Sequence, residues 1–366
     1  VNNVPVAADF LRRASRSPAA NPAVFSNLCD LERRLGRHNT AIAAGRQAVS
    51  MAPKFAHALN NLAIALQEVG ALDEALGFLD QVIKLEPKNA GAHSNRGNTL
   101  KLMGRNKEAE VALRRAIKHR PRMASAHNNL AGLYISQHKW DKARAAARKA
   151  IAVQPEFAQA YVNLAESYVG EARNAEALEE IKKAVAGAPG HAPAYAVMAR
   201  ILKDLGHFSG ALQAASKAVE LHRNPQTLVV LAETLDGAGR LEEAVMAARE
   251  VLALDPSSTA GQDWLAYILL DKGEAEEAAA LFEKTLAARP ERVGYYYNIA
   301  ITKKYSADDP LIRRIEEAIS RQDESDPSYV ENCMRLHFAL GKIQTDCGEN
   351  DRGFDALHTA NRLKRT

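Results

Sequence analysis

Proline recurs at Pro53, Pro87, Pro121, Pro155 and Pro189, a constant 34 residues apart, and alanine keeps step at Ala41, Ala75, Ala109, Ala143, Ala177 and Ala211. After one 33-residue step the series resumes with Ala244 and Ala278, followed by Pro256 and Pro290. A period of this length marks a unit that cannot bury its apolar face alone and must stack on its neighbours, so the chain reads as a helical solenoid. Its functional residues have to be read across units.

A single compact core would be unusual at 366 residues, whereas a stack has no such ceiling. Apolar residues make up 47% of the chain but aromatics only 6%, which suits thin layers of helix on helix. The net charge of +4 makes neither nucleic acid nor an anionic membrane the default partner. The charge is uneven, however. Between Lys101 and Lys149 lie Arg105, Lys107, Arg114, Arg115, Lys118, Arg120, Arg122, Lys139, Lys142, Arg144 and Arg148, whereas later units carry the pairs Glu242–Glu243 and Glu276–Glu277. The basic run reads as a solvated helix face or as a site for an acidic partner.

Three cysteines without a CxxC leave no disulfide framework. Cys29 stands where sister units have alanine or glycine, a buried small-residue position, and Cys333 and Cys347 lie too far apart along one helix to bridge. A reducing, cytoplasmic setting is the default expectation. No stretch approaches a membrane-spanning length of apolar residues. The chain starts at Val1 rather than methionine, and Val4 to Arg16 reads as the second helix of a unit whose first helix is absent.

Aligned on the period, the units run 22–55, 56–89, 90–123, 124–157, 158–191, 192–224, 225–258 and 259–292, with 1–21 as an N-terminal helix and 293–366 as a divergent cap or junction. In the second unit AHALNNLAIALQEVG and LDEALGFLDQVIKLEP each show apolar residues at helical spacing, with a glycine turn between. Two antiparallel helices per unit is the direct reading. Gly36, Gly70, Gly104, Gly206, Gly239 and Gly273 end the first helices, where a left-handed backbone suits glycine. The prolines fall between units, because proline cannot continue a helix.

The pattern resembles the tetratricopeptide repeat over about residues 22–292, with small residues also at the first-helix packing position: Cys29, Ala63, Gly97, Ala131, Ala165, Ala199, Ala232, Ala266 and Ala300. The resemblance implies an all-α, right-handed superhelix of helix-turn-helix repeats whose first helices line a concave groove. Residues 293–366 depart from the clean period. There GYYYNIAITKKYS reads as a first helix, followed by Ala307-Asp308-Asp309-Pro310, a helix LIRRIEEAISR, a loop around Asp326-Pro327 and a closing helix pair turning at Gly348, with Gly353-Phe354 where alanine usually stands. This closing run, with LHFALGK and AN-x-L-K-R, also resembles the stretch preceding the catalytic domain in bacterial proteins that fuse such repeats to a sulfotransferase. Those enzymes hold the sulfonate donor PAPS with a PRSGTT-type loop, and no such loop occurs in this sequence.

Asparagine occupies one repeat position in six units: Asn27, Asn61, Asn95, Asn129, Asn163 and Asn298. A row of amides can match the carbonyls and N–H groups of an extended peptide whatever its sequence. First helices packed about 9–10 Å apart would place one amide at roughly every third residue of a chain advancing about 3.3 Å per residue. The arrangement resembles the asparagine ladder of O-linked N-acetylglucosamine transferases. The alternative is that these amides hydrogen-bond between repeats. The row ends after Asn163, whose counterparts Val197, Val230 and Trp264 are apolar.

Near that end Trp264, Tyr267, Tyr295, Tyr296, Tyr297 and Tyr305 offer either an aromatic groove, with Trp264, Tyr267 and Tyr297 as its candidates, or core packing. His93 and His127 share one position in adjacent units, with His57 two places earlier in its own, but the period spreads them along the stack and argues against a shared metal. Nucleotide-binding and hydrolase motifs are missing from the sequence. The expected function is binding of a protein or extended peptide in the concave groove, without catalysis, cofactor, metal, nucleic acid or membrane, and with self-association left open. The alternative is the substrate-recruiting arm of a protein sulfotransferase whose catalytic domain lies outside these residues, and a third reading is an assembly scaffold.

Overall fold

The structure is a computed structural model that describes residues 4–17, 19–290, 292–326 and 328–365. Pro327 of the expected loop lies outside them. The described residues form 21 helices and no strand, and no helix among them is long and apolar enough to cross a membrane. The chain divides into two compact units, residues 1–197 and 198–366.

In the first unit α1 (Val4–Ser15) precedes a series of helical hairpins: α2 (Pro22–Arg34) with α3 (His38–Met51), α4 (Ala56–Glu68) with α5 (Leu72–Leu85), α6 (Ala90–Leu102) with α7 (Asn106–His119), α8 (Ala124–Ser136) with α9 (Trp140–Val153), and α10 (Ala158–Val169) with α11 (Asn174–Gly187). The division falls within α12 (Ala192–Asp204), and α13 (Phe208–Leu221) belongs to the second unit. In the second unit follow α14 (Pro225–Gly237) with α15 (Leu241–Leu254), and α16 (Thr259–Lys272) with α17 (Ala275–Ala288). Two antiparallel helices joined by a short turn recur along the described residues, as the sequence pattern predicts.

Each hairpin closes on small side chains. Ala41, Ala75, Ala109, Ala143, Ala177, Ala211, Ala244 and Ala278 are wholly buried, as are Cys29, Ala63, Ala131, Ala165, Ala199, Ala232 and Ala300 opposite them in the first helices. At Gly97 even a methyl group would sit 2.6 Å from the Leu113 side chain of α7, so that crossing admits no Cβ. First helices also touch from hairpin to hairpin, α2 on α4, α6 on α8, α8 on α10 and α14 on α16, whereas second helices make at most marginal contact with one another. Within each unit the first helices therefore line the inner face.

The turn inside each hairpin needs a left-handed residue. Gly36, Gly70, Gly104, Gly206, Gly239 and Gly273 supply it with φ between 72° and 88°. In the fourth and fifth hairpins the position falls to His138 (φ 55°) and Ala172 (φ 57°). The turn is unchanged there, since Lys139 N–H still donates to the Tyr134 carbonyl (2.9 Å) and Arg173 N–H to that of Tyr168 (3.0 Å).

The last segment contains α18 (Gly294–Ala300), α19 (Pro310–Ser320), α20 (Tyr329–Asp346) and α21 (Asn350–Lys364). The helix expected over 294–306 is cut short after Ala300. The Thr302 hydroxyl (2.7 Å) and the Tyr305 hydroxyl (2.6 Å) both donate to the Ile299 carbonyl and turn the chain back. The closing pair turns at Gly348 (φ 80°), as expected. It crosses at two glycines, a Cβ on Gly341 meeting the Gly353 carbonyl at 3.0 Å.

Two stability predictions follow from this packing. A leucine at position 109 or 143 overfills a crossing with no free space, so Ala109→Leu and Ala143→Leu should each lose about 1–3 kcal/mol in urea unfolding. Ala172→Gly acts in the opposite sense: relief of about 1–2 kcal/mol of left-handed strain outweighs the ~0.5–1 kcal/mol of added backbone entropy. Its urea midpoint should therefore rise.

Candidate functional site

The asparagine row lies on the inner, first-helix face, and the amide nitrogens of Asn61, Asn95, Asn129 and Asn163 are already engaged. Asn61 Nδ2 donates to the Ser26 carbonyl (3.1 Å) and hydroxyl (3.2 Å). Asn95 Nδ2 donates to Asn60 Oδ1 (2.9 Å) and Asn129 Nδ2 to the Ser94 hydroxyl (3.1 Å). Asn163 Nδ2 donates to the carbonyl (3.1 Å) and Oδ1 (2.8 Å) of Asn128. Every acceptor lies 35 residues earlier, on the preceding first helix, so the row stitches neighbouring repeats together.

Sequence reading named the donors and overlooked the acceptors, although Ser26-Asn27, Asn60-Asn61, Ser94-Asn95 and Asn128-Asn129 stand in the sequence as adjacent pairs. The series stops where both halves vanish together: the next acceptor position is Val162 and the next donor position Val197. Asn61 and Asn163 are buried, Asn95 and Asn129 half-buried and Asn27 exposed. The Oδ1 atoms of Asn61, Asn95, Asn129 and Asn163 accept no hydrogen bond among the described residues, nor are they sealed from solvent. Each remains an acceptor on the inner face.

At the start of the row Asn27 and Asn61 line one cavity of about 460 Å³ with Leu11, Asp30, Leu31 and His57. The His57 Nδ1 is 2.9 Å from the Ser26 hydroxyl, which binds that ring into the same network. Farther along, Gly132 leaves room for a cation that the sequence did not single out. A Cβ there would lie 3.6 Å from Lys101 Nζ and 3.9 Å from Asn163 Nδ2. Burial pushes the Lys101 ammonium below the ordinary lysine range, with Glu166 opposing the shift.

His93 and His127 serve the loops. Each donates from Nε2 to the carbonyl of its repeat-boundary proline, Pro87 or Pro121, at 2.9 Å, and Gln262 does the same to Pro256 at 3.1 Å. The tyrosine-rich end is mostly core. Tyr295 donates to Asp263 (2.7 Å) and is buried, as are Tyr296 and Tyr305. Trp264 is half-buried against Tyr267 with ring centres 6.3 Å apart, and the Tyr267 hydroxyl accepts from Asn298 Nδ2 at 3.1 Å. Tyr267 and Tyr297 keep 36% and 37% of their surface, enough for contact with a ligand. Tyr267 borders a cavity of about 430 Å³ that Arg292, Glu331 and Arg335 also line.

Tetratricopeptide-repeat family models match residues 32–96 and 100–166, and residues 197–259 and 229–293. The chain belongs to the tetratricopeptide-repeat family. A tetratricopeptide repeat protein from Parabacteroides merdae is similar over 64% of this chain and 93% of its own, with 22% identity and a TM-score of 0.54. A thermophilic tetratricopeptide protein from Thermus thermophilus (24% identity, 50% of this chain and 99% of its own, TM-score 0.47) and Pseudomonas aeruginosa pilF (20%, 58% and 97%, 0.46) are also similar. No curated protein matches. The family match and the likeness to the Parabacteroides merdae protein show the repeat architecture.

The stitching predicts unequal costs along one row of identical residues. Asn163→Ala strands buried acceptors on Asn128 and should lower unfolding free energy by about 1–3 kcal/mol. Asn27→Ala removes an exposed side chain with no hydrogen bond among the described residues, and should stay within about 0.5 kcal/mol of the parent. Paired urea melts read the difference.

Proposed function

We propose that the inner face of the first unit binds an extended peptide segment of a protein partner. The free Oδ1 atoms on Asn61, Asn95, Asn129 and Asn163 carry this reading. Because the nitrogen of each amide is tied to the repeat before it, the oxygen is held in place and has only a donor to gain. Backbone N–H groups of an extended chain are such donors, and they recur regardless of side chain. Lys101 beside Asn163 adds a positive charge to the same face and favours neutral or acidic sequences over basic ones. In the second unit, Val230, Trp264, Tyr267 and Tyr297 suit the side chains of a ligand rather than its backbone.

The substrate-recruiting reading is carried by the sequence of the closing segment alone. There α20 and α21 fold on each other through Gly341 and Gly353 as an ordinary hairpin.

Retention of a randomised peptide pool tests the groove. The triple variant Asn95→Ala, Asn129→Ala, Asn163→Ala removes three acceptors and should weaken retention by roughly one to three orders of magnitude. Ser94→Ala with Asn128→Ala instead loosens the stitching, leaves the ladder oxygens in place and should retain peptide, with folding of both checked by circular dichroism. Undiminished retention by the folded triple variant would sink the proposal.

A further inference from the structure

The outer side of the third and fourth hairpins carries a charge that groove binding does not use. Residues 102–149 hold 12 lysines and arginines against three carboxylates, Glu108, Glu110 and Asp141. Where α7 and α9 splay apart, a cavity of about 450 Å³ opens over α8. Arg114 and Lys118 of α7 form one wall, and Lys142 and Lys149 of α9 the other. The floor is apolar, made by Ile117, Leu130 and Ala146, with Tyr134 at its side.

Of the four cations, Arg114 alone is neutralised, by Glu110 at 2.8 Å. Lys142 lies 5.9 Å over the Tyr134 ring, and Lys118, Lys142 and Lys149 meet no carboxylate among the described residues. The repeat period provides an internal comparison. One unit earlier the wall positions read Asp80, Lys84, Glu108 and Arg115, and one unit later Arg148, Ala152, Glu176 and Lys183. A merely solvated helix face gives mixtures of that kind. Between the third and fourth hairpins all four positions are cationic, around an apolar floor.

We infer that this cavity is a second docking site, for an acidic peptide segment of a partner protein that carries one large apolar side chain. The side chain fills the floor, and flanking carboxylates meet the lysines. A pocket of this volume holds an aromatic side chain with its backbone, and burying carboxylates beside unmatched cations lowers the repulsion among the cations themselves. A nucleic-acid duplex fits less well, because its evenly spaced phosphates call for a basic track and leave an apolar floor unfilled. The site stands apart from the inner face and does not depend on it.

Two matched glutamate-rich peptides, one with a central tryptophan and one with alanine in its place, test the inference by fluorescence anisotropy on the full chain. The tryptophan peptide should bind tighter. Lys118→Glu, Lys142→Glu, Lys149→Glu together should weaken it by roughly tenfold or more. Ala145→Trp, which fills the cavity from an exposed rim position without altering charge, should abolish the advantage of tryptophan. The asparagine triple variant should bind the tryptophan peptide normally. No binding by either peptide, equal binding by both, binding unchanged in the folded charge-reversal variant, or displacement of the peptide by a duplex oligonucleotide at lower concentration would each overturn the inference.

Discussion

Where the alanine of a second helix meets the small residue of its partner, both are buried, and their small size lets the two helices of the hairpin pack closely. The contact recurs in every repeat with no exposed surface at the second-helix alanine. Because it repeats with the sequence period, neighbouring hairpins take equivalent poses, first helices fall into register, and residues 34 apart become neighbours on one face. The asparagine row, the proline loops held by His93 and His127, and the splayed gap between α7 and α9 all inherit their spacing from it. The closing hairpin keeps the crossing by another route, with Gly341 and Gly353 in place of alanine.

Helices, turns and the two buried rows were legible in the sequence because each depends on contacts within one repeat or on identical positions in successive ones. The partner of each asparagine was harder to see. It lies 35 residues back rather than 34, on the residue beside the aligned one, so a reading that compares only equivalent positions passes over Ser26, Asn60, Ser94 and Asn128. Of the two readings of the row, the hydrogen bonding between repeats is in the geometry: nitrogen stitches neighbouring repeats, and the oxygen is left as an open acceptor. Lys101 escaped for a different reason, since a long flexible side chain can leave its own position and settle beside Gly132 of a neighbouring helix. The early end of α18 depends on Tyr305 returning to Ile299, a contact outside the period altogether.

The two faces of the first unit differ in the physics they offer a partner. On the inner face neutral amide oxygens would address a ligand's backbone, a contact that tolerates many sequences and responds little to salt. On the outer face unpaired lysines over an apolar floor address charge and one side chain, an interaction that ionic strength screens and that discriminates among sequences. A partner engaging both would combine a permissive contact with a selective one, and linkage would raise its affinity beyond either alone.

In a one-dimensional array each hairpin is held only by its neighbours, so a local defect is not averaged over a common core. The two turns that use His138 and Ala172 instead of glycine stand next to each other, in the fourth and fifth hairpins. Strain placed there lowers the stability of these two hairpins relative to neighbours that turn on glycine. Asn129 and Asn163, whose amides cross the seams on either side of the fourth hairpin, hold that same region together. A chain lying along the inner face at those repeats would span the seam like a splint, so occupancy and mechanical stiffness of the array would rise together.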